Sequence, residues 1–247
     1  LEGIKLMAEE KRLARVFDIC TATTRAEWQT LESYGTGVAT DWFPNGVDSA
    51  YFAPGGNAYD PDTLSFVGRM DYYPNQACML DFCRDVLPRI RARRPGTKLL
   101  IVGADPIPAI RRLGDLPGVT VTGSVPDVRP YLQRSAAMVA PLTIARGTQN
   151  KILEAMASGV PVVTSGVAAG GVDAVPGTHL LVADSPEDVA AAALSLMDDS
   201  SRRSEIAAAA RERVLSHHAW DKSMRRLDAI IERCMREFGR QESLQAA

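Results

Sequence analysis

The chain of 247 residues has few of the residue types that mark disulfide, zinc or nucleic-acid-binding proteins. Its four cysteines (Cys20, Cys78, Cys83, Cys234) are scattered and form no Cys-x-x-Cys pair, a usage typical of reduced thiols in a cytoplasmic protein. The three histidines lack ligand spacing, so we expect no bound metal. The net charge of -2 gives no electrostatic reason to expect nucleic acid as a partner.

Several longer signals are also absent. No run of about 18 apolar residues predicts a membrane span, and no basic-then-apolar segment predicts a secretory signal. No Gly-x-Ser-x-Gly brackets a serine, which disfavours a nucleophile-elbow hydrolase. No Gly-x-Gly-x-x-Gly follows the first strand of the regular region, which disfavours a dehydrogenase.

What is present is a regular alternation of short apolar strands with helices. Strands are predicted at residues 64–68, 98–103, 119–123, 136–141, 161–165 and 179–182. Helices are predicted at 75–93, 106–113, 127–134, 148–158, 187–197 and 202–215, and a helix, strand and helix at 1–15, 16–23 and 25–33. This order predicts an α/β fold with a doubly wound, Rossmann-like parallel sheet, which binds ligands at the carboxyl ends of its strands.

The helix predicted at 148–158 is the most informative element. Its body is almost wholly apolar, and Glu154 lies among Ile152, Leu153, Ala155 and Met156. A carboxylate in such surroundings needs a partner. Gly147 precedes the helix, where exposed N–H groups and the helix dipole suit a phosphate. Together these features outline a nucleotide-sugar site.

The order of the pieces resembles the donor-binding half of retaining GT-B glycosyltransferases of the family 4 type, particularly the sugar transferases of exopolysaccharide synthesis. The matching segments are Pro44 to Asp48, Phe66 to Asp71, Leu100 to Gly103, Val121 to Val125, Met138 to Leu142 and Lys151 to Val163. The resemblance implies that 1–48 are a remnant of the amino-terminal domain, 49–218 the donor-binding domain, and 219–247 a crossing helix and tail. It also implies a fragment that lacks the acceptor domain and exposes apolar faces around Phe17, Trp28 and Trp220, so that it self-associates.

The resemblance assigns roles to particular residues. Glu154 matches the second acid of a Glu-x7-Glu motif, which binds the ribose hydroxyls; the alternative is a buried acid paired with Lys151. The first acid of the motif is replaced by Arg146, which either binds the diphosphate, pairs with a carboxylated sugar such as a uronate, or is an exposed loop arginine.

The family's phosphate-binding pair is an arginine after the first strand and a lysine about five residues later. Arg69 matches the arginine, with a salt bridge to Asp71 or Asp105 as the alternative role, but the lysine position falls on Pro74. We therefore expect Arg146 or Lys151 to supply the missing cation, and name Arg69, Arg146 and Lys151 as the catalytic residues. The remaining donor-binding candidates are Gly68, Val125, Pro126, Gly147, Thr148, Gln149 and Asn150, with a helix cap as the alternative role for Thr148.

The predicted function is transfer of a sugar, with retention, from a nucleotide-diphosphate sugar to a glycan or lipid-linked acceptor. No metal or other cofactor is expected, because cations and the helix dipole neutralise the leaving diphosphate. A cytoplasmic location is expected, with peripheral association at the inner face of the membrane left open. Two alternatives remain: a non-catalytic nucleotide-sugar binding module, and a GT-B relative that catalyses epimerisation.

Overall fold

The computed structural model describes residues 2–56 and 58–245, with side chains to residue 237. The first part forms a small unit around two parallel strands. Helix α1 (Glu2–Ala14) leads to strand β1 (Ile19–Ala22), and helix α2 (Arg25–Ser33) leads to strand β2 (Ala39–Trp42). The side chain of Thr24 caps α2 by accepting from the N–H of Glu27, which explains why this helix begins where the sequence predicts.

The main sheet confirms the predicted fold class. Its six strands are β3 (Asp60–Val67), β4 (Lys98–Val102), β5 (Val119–Val121), β6 (Ser135–Ala140), β7 (Val162–Thr164) and β8 (Leu181–Val182). They are all parallel, in the order β5-β4-β3-β6-β7-β8. From β3 the chain adds β4 and β5 on one side of the sheet and then β6, β7 and β8 on the other side. The strand order therefore reverses between β3 and β6. A crevice at the carboxyl ends of β3 and β6 is the expected ligand site of this topology.

Helices cover both faces of this sheet, which is why its strands are largely apolar. Every residue of β6 is buried. The remaining helices are α3 (Tyr73–Asp81), α4 (Leu87–Arg93), α5 (Pro108–Arg111), α6 (Arg129–Gln133), α7 (Asn150–Ala157), α8 (Gly166–Ala169), α9 (Pro186–Asp198), α10 (Ser200–His217) and α11 (Trp220–Gln245).

Three predicted helices differ from the structure. The helix predicted at 75–93 is divided by one π-helical turn, Phe82–Val86, before Pro88, which has no N–H for the regular ladder. The helix predicted at 106–113 is a single turn, Pro108–Arg111, followed by a 3₁₀ turn. The key helix begins at Asn150, two residues later than predicted, because the positive φ of Gly147 and the non-helical backbone of Gln149 keep this loop out of the helix.

Helix α11 crosses onto the small unit. Val47 pairs with Ala219, the residue before this helix, and Arg226 and Arg233 both donate to Asp41 of β2, at 3.4 and 2.6 Å. The boundaries predicted at 48/49 and 218/219 stay predictions.

Apolar side chains are exposed on the small unit and on α11. Phe17 is 60% exposed and Trp220 is 44% exposed. Trp28 is half-buried, and its indole N–H donates to the Thr40 hydroxyl at 3.1 Å. Within 2–56 and 58–245, none of the helices combines the length and the apolar composition that crossing a bilayer requires.

Candidate functional site

The crevice at the switch point between β3 and β6 is an open cleft of about 590 Å³. We call it the donor cleft. The loop after β3, the start of α3 and the first turn of α7 line it, through Val67, Gly68, Arg69, Asp71, Tyr72, Asn75, Asn150, Lys151 and Glu154. Of the residues predicted from the sequence, the structure thus brings Gly68, Arg69, Asn150, Lys151 and Glu154 together.

Lys151 projects into this cleft from α7 and is held by a buried amide. Its Nζ donates to Asn75 Oδ1 at 2.9 Å, and Asn75 Nδ2 in turn donates to the Arg69 carbonyl at 2.8 Å. The ammonium lies 5.4 Å from the centroid of the Phe66 ring. Burial lowers the pKa of Lys151, and the nearby Cys78 and Glu154 partly offset this. The result is a desolvated cation fixed at the cleft wall.

Glu154 lies three positions after Lys151, on the same face of α7. Burial raises the pKa of its carboxyl, and the nearby Lys151 partly counteracts the rise. No side chain of the described part of the chain donates a hydrogen bond to this carboxylate or forms an ion pair with it. The direct pairing with Lys151 considered above is therefore not formed, and the carboxylate keeps its acceptor capacity for a ligand.

Arg69 makes the salt bridges that were considered as its alternative role. Its guanidinium lies 2.7 Å from Asp71 and 2.9 Å from Asp105. The side chain is 66% exposed, so these pairs contribute little to stability and leave the arginine able to turn to an anion. A Cβ at Gly68 would lie 2.7 Å from Asn75 Nδ2, so glycine keeps this wall open.

The loop before α7 is fixed by close backbone packing. Gly147 has a φ of +63°, and a Cβ built on Gly171 would lie 2.2 Å from the Gly147 carbonyl oxygen. Asn150 accepts a hydrogen bond from Asn45 at 3.1 Å. The suggested cap by Thr148 is wrong: Gln149 is the N-cap and has no side-chain cap bond, and Thr148 Oγ1 is buried without a partner among the described residues.

Six predicted residues do not line the donor cleft: Val125, Pro126, Arg146, Gly147, Thr148 and Gln149. Arg146 is exposed and lines, with Gly147, a separate groove of about 880 Å³ that faces α1 and α2. Val125 and Pro126 follow β5; Val125 is half-buried against the core and Pro126 is exposed. Roles for Arg146, Val125 and Pro126 rest on the resemblance alone.

Sequence reasoning missed two contributors. Asn75 is 3% exposed and joins Lys151 to the loop after β3, but an asparagine near a helix start gives no sign of a contact 76 positions away. Gly171 packs closely against the backbone of the Gly147 loop. In the sequence, Gly170 and Gly171 together indicate a turn, but they do not indicate which loop the turn contacts. Among the described residues, no three His, Cys, Asp or Glu side chains gather into a possible metal site.

Comparison with known proteins gives a family match. The family described as Glycosyl transferases group 1 matches residues 61–199, more than half of the chain. A phosphatidyl-myo-inositol mannosyltransferase of Mycolicibacterium smegmatis is 31% identical over 233 residues, 90% of this chain and 57% of the relative. A glycogen synthase of Mycobacterium tuberculosis is 31% identical over 227 residues, 86% of this chain and 53% of the relative. The chain thus spans a little over half the length of these relatives.

Solved structures agree on the fold. Anabaena HepE in complex with UDP matches with a TM-score of 0.75 and 16% identity, over 90% of this chain and 65% of that chain. Sucrose-phosphate synthase from Thermosynechococcus elongatus matches with a TM-score of 0.74 and 22% identity, over 94% of this chain and 62% of that chain. At these identities the likeness shows an α/β, Rossmann-like fold of the kind found in GT-B enzymes.

Proposed function

Because the chain belongs to the family of group 1 glycosyl transferases, we propose that its donor cleft binds the nucleoside-diphosphate sugar of a retaining glycosyltransferase. The observation that carries this proposal is the pair on α7. Lys151 and Glu154 lie one turn apart at the switch point of the sheet. Lys151 is a desolvated cation, and the carboxylate of Glu154 has no partner among the described residues. A nucleoside diphosphate offers an anion to the cation and a vicinal diol to the carboxylate.

Glu154 is proposed to hold the ribose. Its two carboxylate oxygens can accept from both hydroxyls of a vicinal diol, and a half-buried carboxylate gains more from such bonds than an exposed one. A ligand hydroxyl pair would supply the donors that the described protein residues do not provide.

Lys151 and Arg69 are proposed to neutralise the diphosphate as the glycosidic bond breaks. Charge then accumulates on the leaving phosphate, and preorganised cations stabilise it most effectively where water is excluded. Lys151 is already fixed by Asn75, while Arg69 would exchange its exposed contacts with Asp71 and Asp105 for phosphate oxygens. Gly147, Thr148, Gln149 and Asn150 would direct N–H groups and the positive end of the α7 dipole towards the same charge.

Arg146 is proposed to act at the sugar end of the donor, because it lies in the groove beside the Gly147 loop and outside the donor cleft. We favour pairing with a carboxylated sugar over a diphosphate contact. An Arg146→Glu variant that binds free nucleoside diphosphate normally supports this placement, and one that loses diphosphate binding contradicts it.

The whole protein is proposed to transfer the sugar to a glycan or lipid-linked acceptor in exopolysaccharide or cell-surface glycan synthesis. The names of the two relatives refer to a phosphatidylinositol, which is a lipid, and to glycogen, which is a glycan. Both names support an acceptor that is a glycan or is linked to a lipid. The four cysteines are all free thiols, which supports a cytoplasmic location. Transfer is proposed to need no metal, since the cleft supplies its own cations.

Calorimetric titration of the chain with UDP, GDP and ADP tests the donor site. We expect one of them to bind, and Lys151→Met to weaken it about 10- to 100-fold, the effect of losing a charge-assisted hydrogen bond of about 1.5–3 kcal/mol. Lys5→Met is the matched control, because Lys5 lies on the exposed face of α1. Equal weakening in both variants, or no binding by any of the three nucleotides, overturns the proposal.

A further inference from the structure

A second cleft, which shares no lining residue with the donor cleft, lies where α2, β2, α10 and α11 meet. We call it the junction cleft; its volume is about 320 Å³. Its charged lining consists of Arg25, Arg213, Lys222 and Arg226 with one carboxylate, Asp173. Nothing in the family match or the donor site accounts for this concentration of positive charge.

The floor of the junction cleft is the ring of Trp42, which is 6% exposed. Two guanidinium groups lie against this single ring, Arg25 at 5.3 Å and Arg226 at 4.3 Å from its centroid. Cation–π contacts hold both side chains beside each other despite their like charge. The two arginines are therefore prearranged around one space.

The acids nearby do not balance these cations. Asp173 is engaged by Arg213 at 2.8 Å. Asp41, which does not line the cleft, pairs more closely with Arg233, at 2.6 Å, than with Arg226, at 3.4 Å.

The two other cations of the lining, Arg25 and Lys222, form no ion pair with the carboxylates of residues 2–56 and 58–237. Lys222 donates to the Ser216 carbonyl at 3.1 Å. Arg25 forms no ion pair with any carboxylate of the described side chains. The cleft thus has a net positive charge that an anion would neutralise.

We propose that the junction cleft binds a phosphate group, as a site separate from the donor cleft. Guanidinium forks match the geometry of phosphate oxygens, and an ammonium adds a third positive contact from another element. Arg25 on α2, with Lys222 and Arg226 on α11, would then join the small unit to α11 through the bound anion. The proposal is independent of the donor assignment, because the two clefts have different residues.

Trp42 provides a local reporter. In a Trp28→Phe/Trp220→Phe background it is the remaining tryptophan, and the donor cleft contains none. We expect inorganic phosphate and pyrophosphate to change its fluorescence saturably, and Arg25→Gln/Lys222→Gln to raise the Kd at least 10-fold. Arg225→Gln removes one charge from an exposed neighbour outside the cleft and is expected to leave the Kd unchanged.

Vesicles distinguish a lipid phosphate from a soluble one. If the wild-type chain cosediments with phosphatidylglycerol vesicles but not with phosphatidylcholine vesicles, and the double variant cosediments with neither, the site is supported and the phosphate belongs to a lipid headgroup. If phosphate changes the Trp42 fluorescence saturably but the chain does not cosediment with vesicles, the site is supported and its ligand is a soluble phosphate. No response to either probe, or a Kd that the double variant and the control change equally, overturns the proposal; circular dichroism checks that each variant is folded.

Discussion

Replacement of Glu154 by glutamine separates a ligand-binding acid from a structural one. The substitution keeps the size of the side chain and one acceptor oxygen but removes the charge. If the carboxylate accepts both ribose hydroxyls, about one charge-assisted hydrogen bond is lost, about 2 kcal/mol. That loss corresponds to a Kd about 30-fold higher for the nucleoside diphosphate.

The same substitution should not reduce stability. Burial raises the pKa of Glu154 in the folded chain above its unfolded value. The folded state therefore favours the protonated form; this contribution is fully present below the unfolded pKa and is lost as pH rises through the folded pKa. At neutral pH the ionised, desolvated carboxylate opposes folding, so Glu154→Gln should leave Tm unchanged or raise it, and the difference should shrink in acid.

The assay combines calorimetry with a ligand change. The wild-type chain should bind the ribonucleoside diphosphate about 10-fold more tightly than its 2′-deoxy analogue, a difference of about 1.4 kcal/mol for one hydroxyl contact. Glu154→Gln should bind both equally. A variant with unaltered affinity for both ligands and a lower Tm would show that Glu154 stabilises the helix and does not hold ribose.

Three further outcomes are expected. Gly171→Val should drive a side chain into the Gly147 carbonyl and reduce stability by about 1–3 kcal/mol, measured by urea unfolding, with weaker nucleotide binding. Because burial lowers the pKa of Lys151 from its ordinary 10.5, the cation is lost as pH rises through a value below 10.5; nucleotide affinity should fall there in the wild type but not in Lys151→Arg. Cys78, whose pKa burial raises to about 12, should resist iodoacetamide at about pH 8 until the chain is unfolded.

The elements that the sequence predicts well are those whose signal is local. Runs such as 99–102 and 136–140 are buried on both faces of a parallel sheet, so their apolar character alone marks them as strands. The apolar face of α7 and the odd charge of Glu154 are local in the same way. The structure confirms the helix, which begins at Asn150, and Glu154 is half-buried on it, while the role of this acid stays a prediction.

The features that the sequence does not predict depend on distant partners. The hydrogen bond between Asn75 and Lys151 joins two helices, and the contact of Gly171 with Gly147 joins two loops. Pro88 is a local signal, but the sequence does not indicate its structural effect. A π-helical turn precedes the proline, and helical residues continue after it to Arg93. The resemblance leaves Arg146 either at the diphosphate, at a carboxylated sugar or as an exposed loop arginine; the structure places it in another groove, beside the turn at Gly147.

The departure at Pro74 can be tested directly, because the structure shows a cation near the place where the family's lysine would lie. Lys151 reaches from α7 to Asn75, the residue after Pro74, and ends 2.9 Å from its amide oxygen. A cation carried by a different helix thus lies beside this position, and we propose that it takes the place of the family's lysine. Pro74 is buried in the first turn of α3, where proline is favoured but not required, so Pro74→Lys is expected to keep the helix start while its long side chain carries the ammonium to the cleft surface. Placed in the Lys151→Met background, it should recover at least 10-fold of the lost nucleotide affinity, whereas Pro74→Gln should recover none. Failure of the lysine to restore binding in a folded double variant would mean that Lys151 acts through something other than its charge at this position.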